Sequence, residues 1–218
     1  MRDSTRGAGK PYHHGDLHNA LIEAGLEILD REGIAAVTLR AIAARAGVSH
    51  AAPAHHFGNL KGLMTALAAI AFNRLYASIQ EAIDAAPKDP AEQMRASGRG
   101  YVRFAETNPG LFRLMFTSSL LDSSNPDLQQ AGQRAYMQLW GVAAPAAALR
   151  GGTSDAEVRA VALHLWCTVH GFSHLLLEQQ IAAPPGGEPR TSRLPDIAAL
   201  LVGNAKPLRK SKPKRARR

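Results

Sequence analysis

Apolar residues recur at helical spacing along most of this chain. Within residues 15–33, one apolar stripe has spacings of four, three and four residues and consists of Leu17, Leu21, Ala24 and Ile28. Residues 38–46 carry a second stripe, made of Leu39, Ile42, Ala43 and Ala46. No segment sustains an alternation of apolar and polar residues, and alanine is abundant. The pattern therefore predicts an all-α protein.

Prolines and capping residues divide the rest of the chain into further helices. The predicted helices span residues 61–86, 90–108, 110–121, 125–150, 154–181 and 196–202. Pro145 is expected to kink or end the fourth of these, because proline removes a helical hydrogen bond. Ser154 and Glu157 have the spacing of a capping box, which marks where the fifth begins.

Residues 38–49 predict two helices joined by a tight turn. Thr38 can cap the first helix, and Gly47 lies where the chain must reverse with positive φ. Ser49 is expected to cap the second helix. This is a helix-turn-helix, whose second helix enters the major groove of DNA. The sequence therefore indicates a DNA-binding regulator rather than an enzyme.

The order of elements over residues 15–75 resembles the TetR family of bacterial transcriptional regulators. A helix precedes the helix-turn-helix, which ends in His55-His56-Phe57, and a long helix follows. Residues 165–171, Leu-Trp-Cys-Thr-Val-His-Gly, resemble the Trp-x-x-x-His-Gly signature of the WHG subgroup, and residues 12–17 and Ala52-Pro53 are also similar to it. The resemblance implies a three-helix DNA-binding domain followed by a helical ligand-binding and dimerisation domain.

The predicted organisation follows from this resemblance and from the predicted helices. It consists of an N-terminal arm (1–14), a DNA-binding domain (15–61, with its motif at about 38–57), the start of a connecting helix (62–75), a regulatory and dimerisation domain (76–203) and a basic tail (204–218). The helices at 154–181 and 196–202 are expected to form the dimer interface, as the last two helices of the family commonly do.

Nine residues are predicted to contact DNA. They are Thr38, Arg40, Ser49, His50, Ala51, Ala52, His55, His56 and Lys61. Helix N-termini attract phosphate, histidines hydrogen-bond to bases or phosphates, and alanine methyls contact thymine. The alternatives are that Thr38 only caps its helix, that Arg40 lies on a solvated face, and that one of the histidines packs under the turn.

Four positions depart from the family pattern. His50, Ala52 and Ala54 stand where the family usually has lysine, threonine and tyrosine, and Leu60 takes the place of a phosphate-binding lysine, with Lys61 following. Pro53 would break the first hydrogen bond of a helix that began at Ser49, so this helix is expected to begin late or to bend.

Bulky residues of the C-terminal half are candidates for an effector pocket, whose existence the resemblance implies. They are Phe104, Phe112, Met115, Phe116, Trp140, Trp166, His170 and His174. The alternative for each is a place in the plain core. His170 and His174 have the i, i+4 spacing of zinc ligands, but no cysteine or carboxylate completes a recognised pattern, so neither metal nor cofactor is expected. The expected effector is small and largely hydrophobic.

The charge is concentrated at the C-terminal end. The formal net charge is +8, and residues 204–218 contain eight basic residues and no acidic ones, so the rest of the chain is neutral overall and the tail is expected to be disordered. Cys167 is the only cysteine. The sequence contains neither an apolar stretch of about 18 residues nor a signal-peptide pattern, which favours the cytoplasm.

These observations predict a homodimeric, ligand-responsive transcriptional regulator, a repressor that binds a palindromic double-stranded DNA operator and a small effector. Patterns of nucleophilic, phosphate-binding or dinucleotide sites are absent. Two alternatives stay open at this point. One is a nonspecific nucleic-acid-binding protein that depends on the basic tail. The other is a ligand-binding protein with a degenerate DNA-binding unit, as Ala54 and Leu60 suggest.

Overall fold

The computed structural model describes residues 14–149 and 151–181, and the regular structure within them is entirely helical, as predicted. The α-helices of this part are α1 (His14–Glu32), α2 (Leu39–Ala46), α3 (Ala52–Phe57), α4 (Leu60–Asp84), α5 (Pro90–Thr107), α6 (Pro109–Met115), α7 (Pro126–Ala148) and α8 (Asp155–Leu177). Short 3-10 helices follow α1 (Ile34–Ala36) and α6 (Ser118–Leu120).

Helix α4 is the central element of the protein. It packs against α1 and α3 near its N-terminal end and against α5, α6 and α7 along its length. Leu63, Leu67 and Leu75 of α4 are at most 4% exposed. One continuous apolar core therefore joins the helix-turn-helix unit to the C-terminal helices. The predicted domain limits stay a prediction, because α4 runs through residues 61 and 75 without a break.

Side chains that precede the longer helices set where those helices begin. The capping residues are Asn59 for α4, Asp89 for α5, Asn125 for α7 and Ser154 for α8. The capping box is confirmed, since the Glu157 N–H donates to the Ser154 hydroxyl and the Glu157 carboxylate accepts from the Ser154 N–H. The Ser154 hydroxyl also donates to the Glu157 carboxylate, and this bond, followed by those from the Ser154 and Thr153 N–H groups, lowers the pKa of Glu157.

One helix boundary agrees with the sequence prediction and one differs. Helix α7 continues through Pro145 to Ala148, close to the predicted end at residue 150, and so does not end at Pro145. The Pro145 ring is exposed, while Ala146 and Ala147 are buried, so packing of the last turn offsets the missing hydrogen bond. The helix expected at 110–121 is shorter, because α6 ends at Met115 and a separate 3-10 turn follows at Ser118–Leu120.

Several predicted segments lie outside the described residues. These are the N-terminal arm apart from His14, the final helix at 196–202 and the basic tail at 204–218.

Candidate functional site

Helix α2 and the turn after it have the geometry that the sequence predicts. The Thr38 hydroxyl accepts a hydrogen bond from the Ala41 N–H at 3.1 Å and caps α2. Gly47 has a φ of 68°, a left-handed conformation that glycine adopts without steric cost. The Val48 N–H donates to the Ala43 carbonyl at 3.0 Å and closes the reversal. The chain is thus redirected into α3.

Helix α3 begins later than a cap at Ser49 would allow. The predicted Ser49 cap is wrong, since Ala51 occupies the N-cap position and the Ser49 carbonyl accepts from the Ala52 N–H instead. Pro53 is the reason, because it has no N–H to donate to Ser49. In the first turn of a helix beginning at Ala52, that missing donor has no consequence.

Most of the predicted DNA contacts lie on the protein surface. Thr38, Arg40, Ser49, His50, Ala51, His55 and Lys61 are exposed, whereas Ala52 and His56 are half-buried. The His56 ring lies 6.1 Å from the ring of His18 on α1 and 5.6 Å from that of His55, measured between centroids. His55 therefore points more freely to solvent than His56 does. Contact with DNA stays a prediction for all nine residues.

The three helices are fixed to one another by a core and by ion pairs. Leu21, Ile42 and Ala43 are fully buried where α1 and α2 meet. Arg45 of α2 bridges to Glu27 and Glu32 of α1 at 3.1 and 2.7 Å, and these hydrogen bonds raise its pKa. Because Arg45 is already paired, it is less available to phosphates than the exposed Arg40.

Lys61 lies in the first turn of α4, beside Asp122. Hydrogen bonds from Ser124 lower the pKa of Asp122, and the charge of Lys61 lowers it further. The positive charge of Lys61 is therefore partly offset within the protein, unlike that of Arg40.

A cavity of about 300 Å³ lies among α4, α5, α7 and α8. Its wall is formed by Phe72, Leu75, Ile79, Ser97, Gly98, Tyr101, Phe116, Gly132, Ala135, Tyr136, Leu139, Val142, Leu165, Trp166 and Val169. None of these side chains carries a formal charge. The only polar side-chain groups are the hydroxyls of Ser97, Tyr101 and Tyr136 and the indole N–H of Trp166. A wall of this composition suits an apolar ligand.

The eight predicted pocket residues divide into two groups. Phe116 and Trp166 line the cavity. The other six lie outside its wall, and they are Phe104, Phe112, Met115, Trp140, His170 and His174. Phe104, Phe112 and Met115 are at most 4% exposed and belong to the core.

The remaining three residues of the second group pack behind or beside the cavity. His174 lies 5.1 Å from the Phe112 ring and 4.6 Å from the His170 ring. Trp140 lies 6.3 Å from the ring of Tyr136.

Sequence reasoning missed Tyr101 and the cavity-lining residues of α7, because both look like ordinary helix core until distant helices are brought together. Ligand contact stays a prediction for every one of these residues.

Tyr101 connects the cavity to His170. The Tyr101 hydroxyl lies 2.9 Å from His170 Nδ1, across 69 residues of sequence. Burial raises the pKa of Tyr101 far above its usual range, and a hydrogen bond with Trp166 opposes this rise. Burial, and secondly the charge of His174, lower the pKa of His170. Both groups are therefore neutral at pH 7, and the Trp166-x-x-x-His170 spacing brings both side chains to one tyrosine.

Residues 14–149 and 151–181 contain no candidate metal site, but two of their helices are strongly apolar. No group of three histidine, cysteine, aspartate or glutamate side chains there has the geometry of a metal site. Helices α4 and α8 are long and apolar enough to cross a membrane by length and hydropathy alone. The most apolar window of α4 is 44% buried in the core, whereas that of α8 is only 22% buried. Helix α8 therefore exposes apolar surface.

Comparisons with known proteins match both halves of the chain. A family model described as "Bacterial regulatory proteins, tetR family" matches residues 21–67, and one described as "Tetracyclin repressor-like, C-terminal domain" matches residues 94–194. The HTH-type transcriptional regulator BetI of Burkholderia ambifaria is 36% identical over 76 residues, which are 35% of this chain and 39% of BetI. The match thus spans well under half the length of that curated relative.

Solved structures match over more of the chain. A protein of unknown function from Rhodococcus sp. RHA1 is 31% identical and superposes with a TM-score of 0.68, covering 81% of this chain and 91% of that one. The TetR family transcriptional regulator PfmR from Thermus thermophilus is 19% identical, with a TM-score of 0.53, and the match covers 73% of this chain and 95% of PfmR. The second likeness concerns the fold alone.

Proposed function

Because this chain belongs to the TetR family of transcriptional regulators, we propose that it is a homodimeric, ligand-responsive repressor that acts on DNA in the cytoplasm. The observation that carries the proposal is the exposed face of α3, held by the Thr38-capped α2 and the left-handed Gly47. Such a surface enters the major groove. The family consists of DNA-binding regulators rather than enzymes.

The two helices of the motif have different roles on DNA. Arg40 is exposed in the first turn of α2, where N–H groups and the helix dipole also attract phosphate. His50 and His55 are exposed on and beside α3 and offer donors and acceptors to base edges. Phosphate contacts position the protein, whereas base contacts select the operator.

Helix α8 is the proposed dimer interface. Leu163 and Leu175 are 56% and 47% exposed, and the exposed Cys167 lies between them at spacings of four and eight residues. These side chains share one helical face, and packing that face against its copy would bury it. Two α3 helices related by a two-fold axis then read half-sites about one turn of DNA, roughly 34 Å, apart. The predicted contribution of residues 196–202 is part of the same proposal.

Two contacts give ligand binding a path to the DNA-reading helices. Helix α4 contributes Phe72, Leu75 and Ile79 to the cavity and begins directly after α3. Helix α6 leads into the cavity residue Phe116, and its Gly110 lies so close to α1 that a Cβ there would be 2.4 Å from the Leu29 carbonyl oxygen. A small hydrophobic effector that shifts α4 or α6 would change the separation of the two α3 helices. Its effect is limited by its relative affinity for the two states.

A gel-shift assay with the DNA flanking the protein's own gene tests this proposal. We expect that DNA to be bound at concentrations that leave random DNA of equal length unbound. Equal binding of both would instead favour the nonspecific alternative, and removal of residues 204–218 would then abolish it because those residues carry eight basic side chains. Absence of binding to any DNA would favour the degenerate alternative. Retained specificity after removal of the tail would support the helix-turn-helix as the reading element.

A further inference from the structure

The cavity has one buried hydroxyl that can both donate and accept. The Ser97 hydroxyl already donates to the Met94 carbonyl at 2.8 Å and can only accept, and Tyr136 is 40% exposed, so it stands at the rim. Tyr101 is 6% exposed and lines the cavity with its hydroxyl beside His170 Nδ1. A ligand inside the cavity therefore meets apolar surface everywhere except at the Ser97 oxygen and near the Tyr101 hydroxyl and the neighbouring Trp166 indole.

The wall offers no compensation to a charged ligand. Lysine, arginine, aspartate and glutamate are all absent from the fifteen lining residues. A carboxylate or ammonium group that entered the cavity would lose its hydration without gaining an opposite charge, which is strongly unfavourable. A polar group held inside the cavity must therefore be neutral.

The Tyr101–His170 pair favours a ligand group that both donates and accepts. If His170 Nδ1 accepts from Tyr101, the tyrosine oxygen accepts from the Trp166 indole N–H and keeps one lone pair for a further bond. If His170 Nδ1–H donates, the tyrosine proton is free to donate to the ligand. A hydroxyl group satisfies either arrangement, whereas an ether or a carbonyl satisfies only the second.

The volume limits the apolar part of the ligand. A cavity of about 150 Å³ holds one benzene molecule, so about 300 Å³ holds a body of roughly ten carbon atoms, such as two fused rings. The exposed Tyr136 and Trp166, at 40% and 38%, mark the side between α7 and α8 from which it would enter.

Building on the proposed function, in which this cavity is the effector site, we propose that it binds a neutral aromatic or aliphatic alcohol of about ten carbon atoms, with its hydroxyl group hydrogen-bonded to Tyr101. The apolar wall supplies most of the affinity. Tyr101 supplies the preference for an alcohol over the hydrocarbon.

Titration calorimetry of the full-length protein at pH 7 with three matched probes tests this inference. 2-Naphthol carries the neutral hydroxyl, naphthalene lacks it, and 2-naphthoate carries a negative charge. We expect 2-naphthol to bind about five- to tenfold more tightly than naphthalene, as one hydrogen bond provides, and at least about a hundredfold more tightly than 2-naphthoate. Binding of 2-naphthoate within about tenfold of 2-naphthol, or binding of none of the probes, would overturn the inference.

Removal of the Tyr101 hydroxyl tests whether this group binds the hydroxyl of the ligand. In a Tyr101→Phe protein the advantage of 2-naphthol over naphthalene should disappear, while naphthalene affinity stays unchanged and reports that the cavity is intact. Tyr76→Phe is the matched control, because Tyr76 lies outside the cavity wall, beside Arg134. A preference that survives in Tyr101→Phe, or that is lost equally in Tyr76→Phe, contradicts the assigned role.

Gel shifts with the same proteins separate this inference from the proposed function. If the operator is bound and only a charged or larger molecule releases it, the regulator stands and the assigned ligand class is wrong. If 2-naphthol binds with the expected preference but no DNA is bound specifically, the ligand class stands and the proposed function is wrong.

Discussion

The helix-turn-helix unit and the cavity are encoded in different ways. In the helix-turn-helix unit, the interactions that set the backbone are local. Thr38 caps the helix that follows it, and Gly47 turns the chain four residues from the Ala43 carbonyl that stabilises the turn. In the second, the decisive contact joins Tyr101 to His170 across 69 residues. A local signal can be found in one sequence, whereas the cavity exists only after α4, α5, α7 and α8 have assembled.

The two regions also differ in how completely they are packed. Leu21 and Ile42 are fully buried between α1 and α2, and Arg45 joins these helices through two carboxylates. Beyond α4, a space of about 300 Å³ is left unfilled, although protein interiors are normally close-packed. Unfilled volume sacrifices dispersion contacts, and an almost wholly apolar wall is what the proposed effector site needs.

The largest expected effect distinguishes core from cavity wall within one short segment. Phe112 is fully buried among Tyr101, Phe116, His170 and His174, whereas Phe116 borders the empty volume. Phe112→Ala should lower the free energy of unfolding by about 3–5 kcal/mol, and Phe116→Ala by less than half of that, because its site is already partly open. Urea denaturation at one fixed protein concentration measures both. Equal losses would mean that the cavity is filled in solution.

The next prediction concerns the contact between the two regions. A methyl group at Gly110 would lie 2.4 Å from the Leu29 carbonyl oxygen, so Gly110→Ala must push α6 away from α1 at a cost of about 1–3 kcal/mol. Gly141 of α7 is the matched control, because a Cβ there meets nothing within 4 Å. Gly141→Ala should stabilise the helix by up to about 1 kcal/mol. Thermal unfolding shows whether each variant is more or less stable than the original protein. An unchanged stability in Gly110→Ala would show that α6 and α1 are not tightly packed.

The same contrast explains what could be predicted from the sequence. The all-α class, the α2 cap, the Gly47 turn and the Ser154–Glu157 capping box depend on residues within five positions of one another, and all are confirmed. The Ser49 cap is wrong, whereas the late start of α3 expected from Pro53 is confirmed, because the missing N–H of Pro53 decided between two competing local rules. The predicted extent of α7 to about residue 150 is confirmed, and only the alternative end at Pro145 is wrong, because buried alanines from a tertiary contact outweighed a local rule.

The cavity wall was beyond sequence reasoning for a different reason. Aromatic residues indicate bulk, but not whether that bulk fills space or borders it. Phe112 and Phe116 are four positions apart and lie on one face of the chain, yet only Phe116 lines the cavity. Tyr101 has no sequence feature that separates it from a core position of α5, and its pairing with His170 depends on how α5 meets α8.

A smaller effect, on affinity rather than stability, tests the DNA-reading unit. Arg40→Ala should weaken binding to every DNA sequence and lower the salt slope by about one, because a phosphate contact is lost. Lys88→Ala is the control, because it removes the same charge beyond the C-terminal end of α4, a helix about 37 Å long that begins beside α3. It should change neither the affinity for DNA nor the salt slope. His50→Ala or His55→Ala should instead alter the preference between operator variants. Electrophoretic titrations over several salt concentrations, against a set of single-base operator changes, separate these outcomes; a change of base preference in Arg40→Ala contradicts the assignment.

The smallest predicted effect is a pH dependence that belongs to the cavity side of the molecule. Burial, and then the charge of His174, lower the pKa of His170 in the folded protein, so below the ordinary histidine pKa of about 6.5 the unfolded chain binds this proton more readily. The stability contributed by neutral His170 is therefore complete above about pH 6.5 and is lost as pH falls through its lowered pKa. His170→Gln should flatten the decline in unfolding free energy between about pH 7.5 and 5.5, measured by urea denaturation at each pH. Glu157 and Asp122, whose pKa values are lowered, stay ionised over this range and do not contribute to the difference. An unchanged decline in His170→Gln would mean that the Tyr101–His170 contact is open to water, and the argument for a neutral ligand would lose one of its supports.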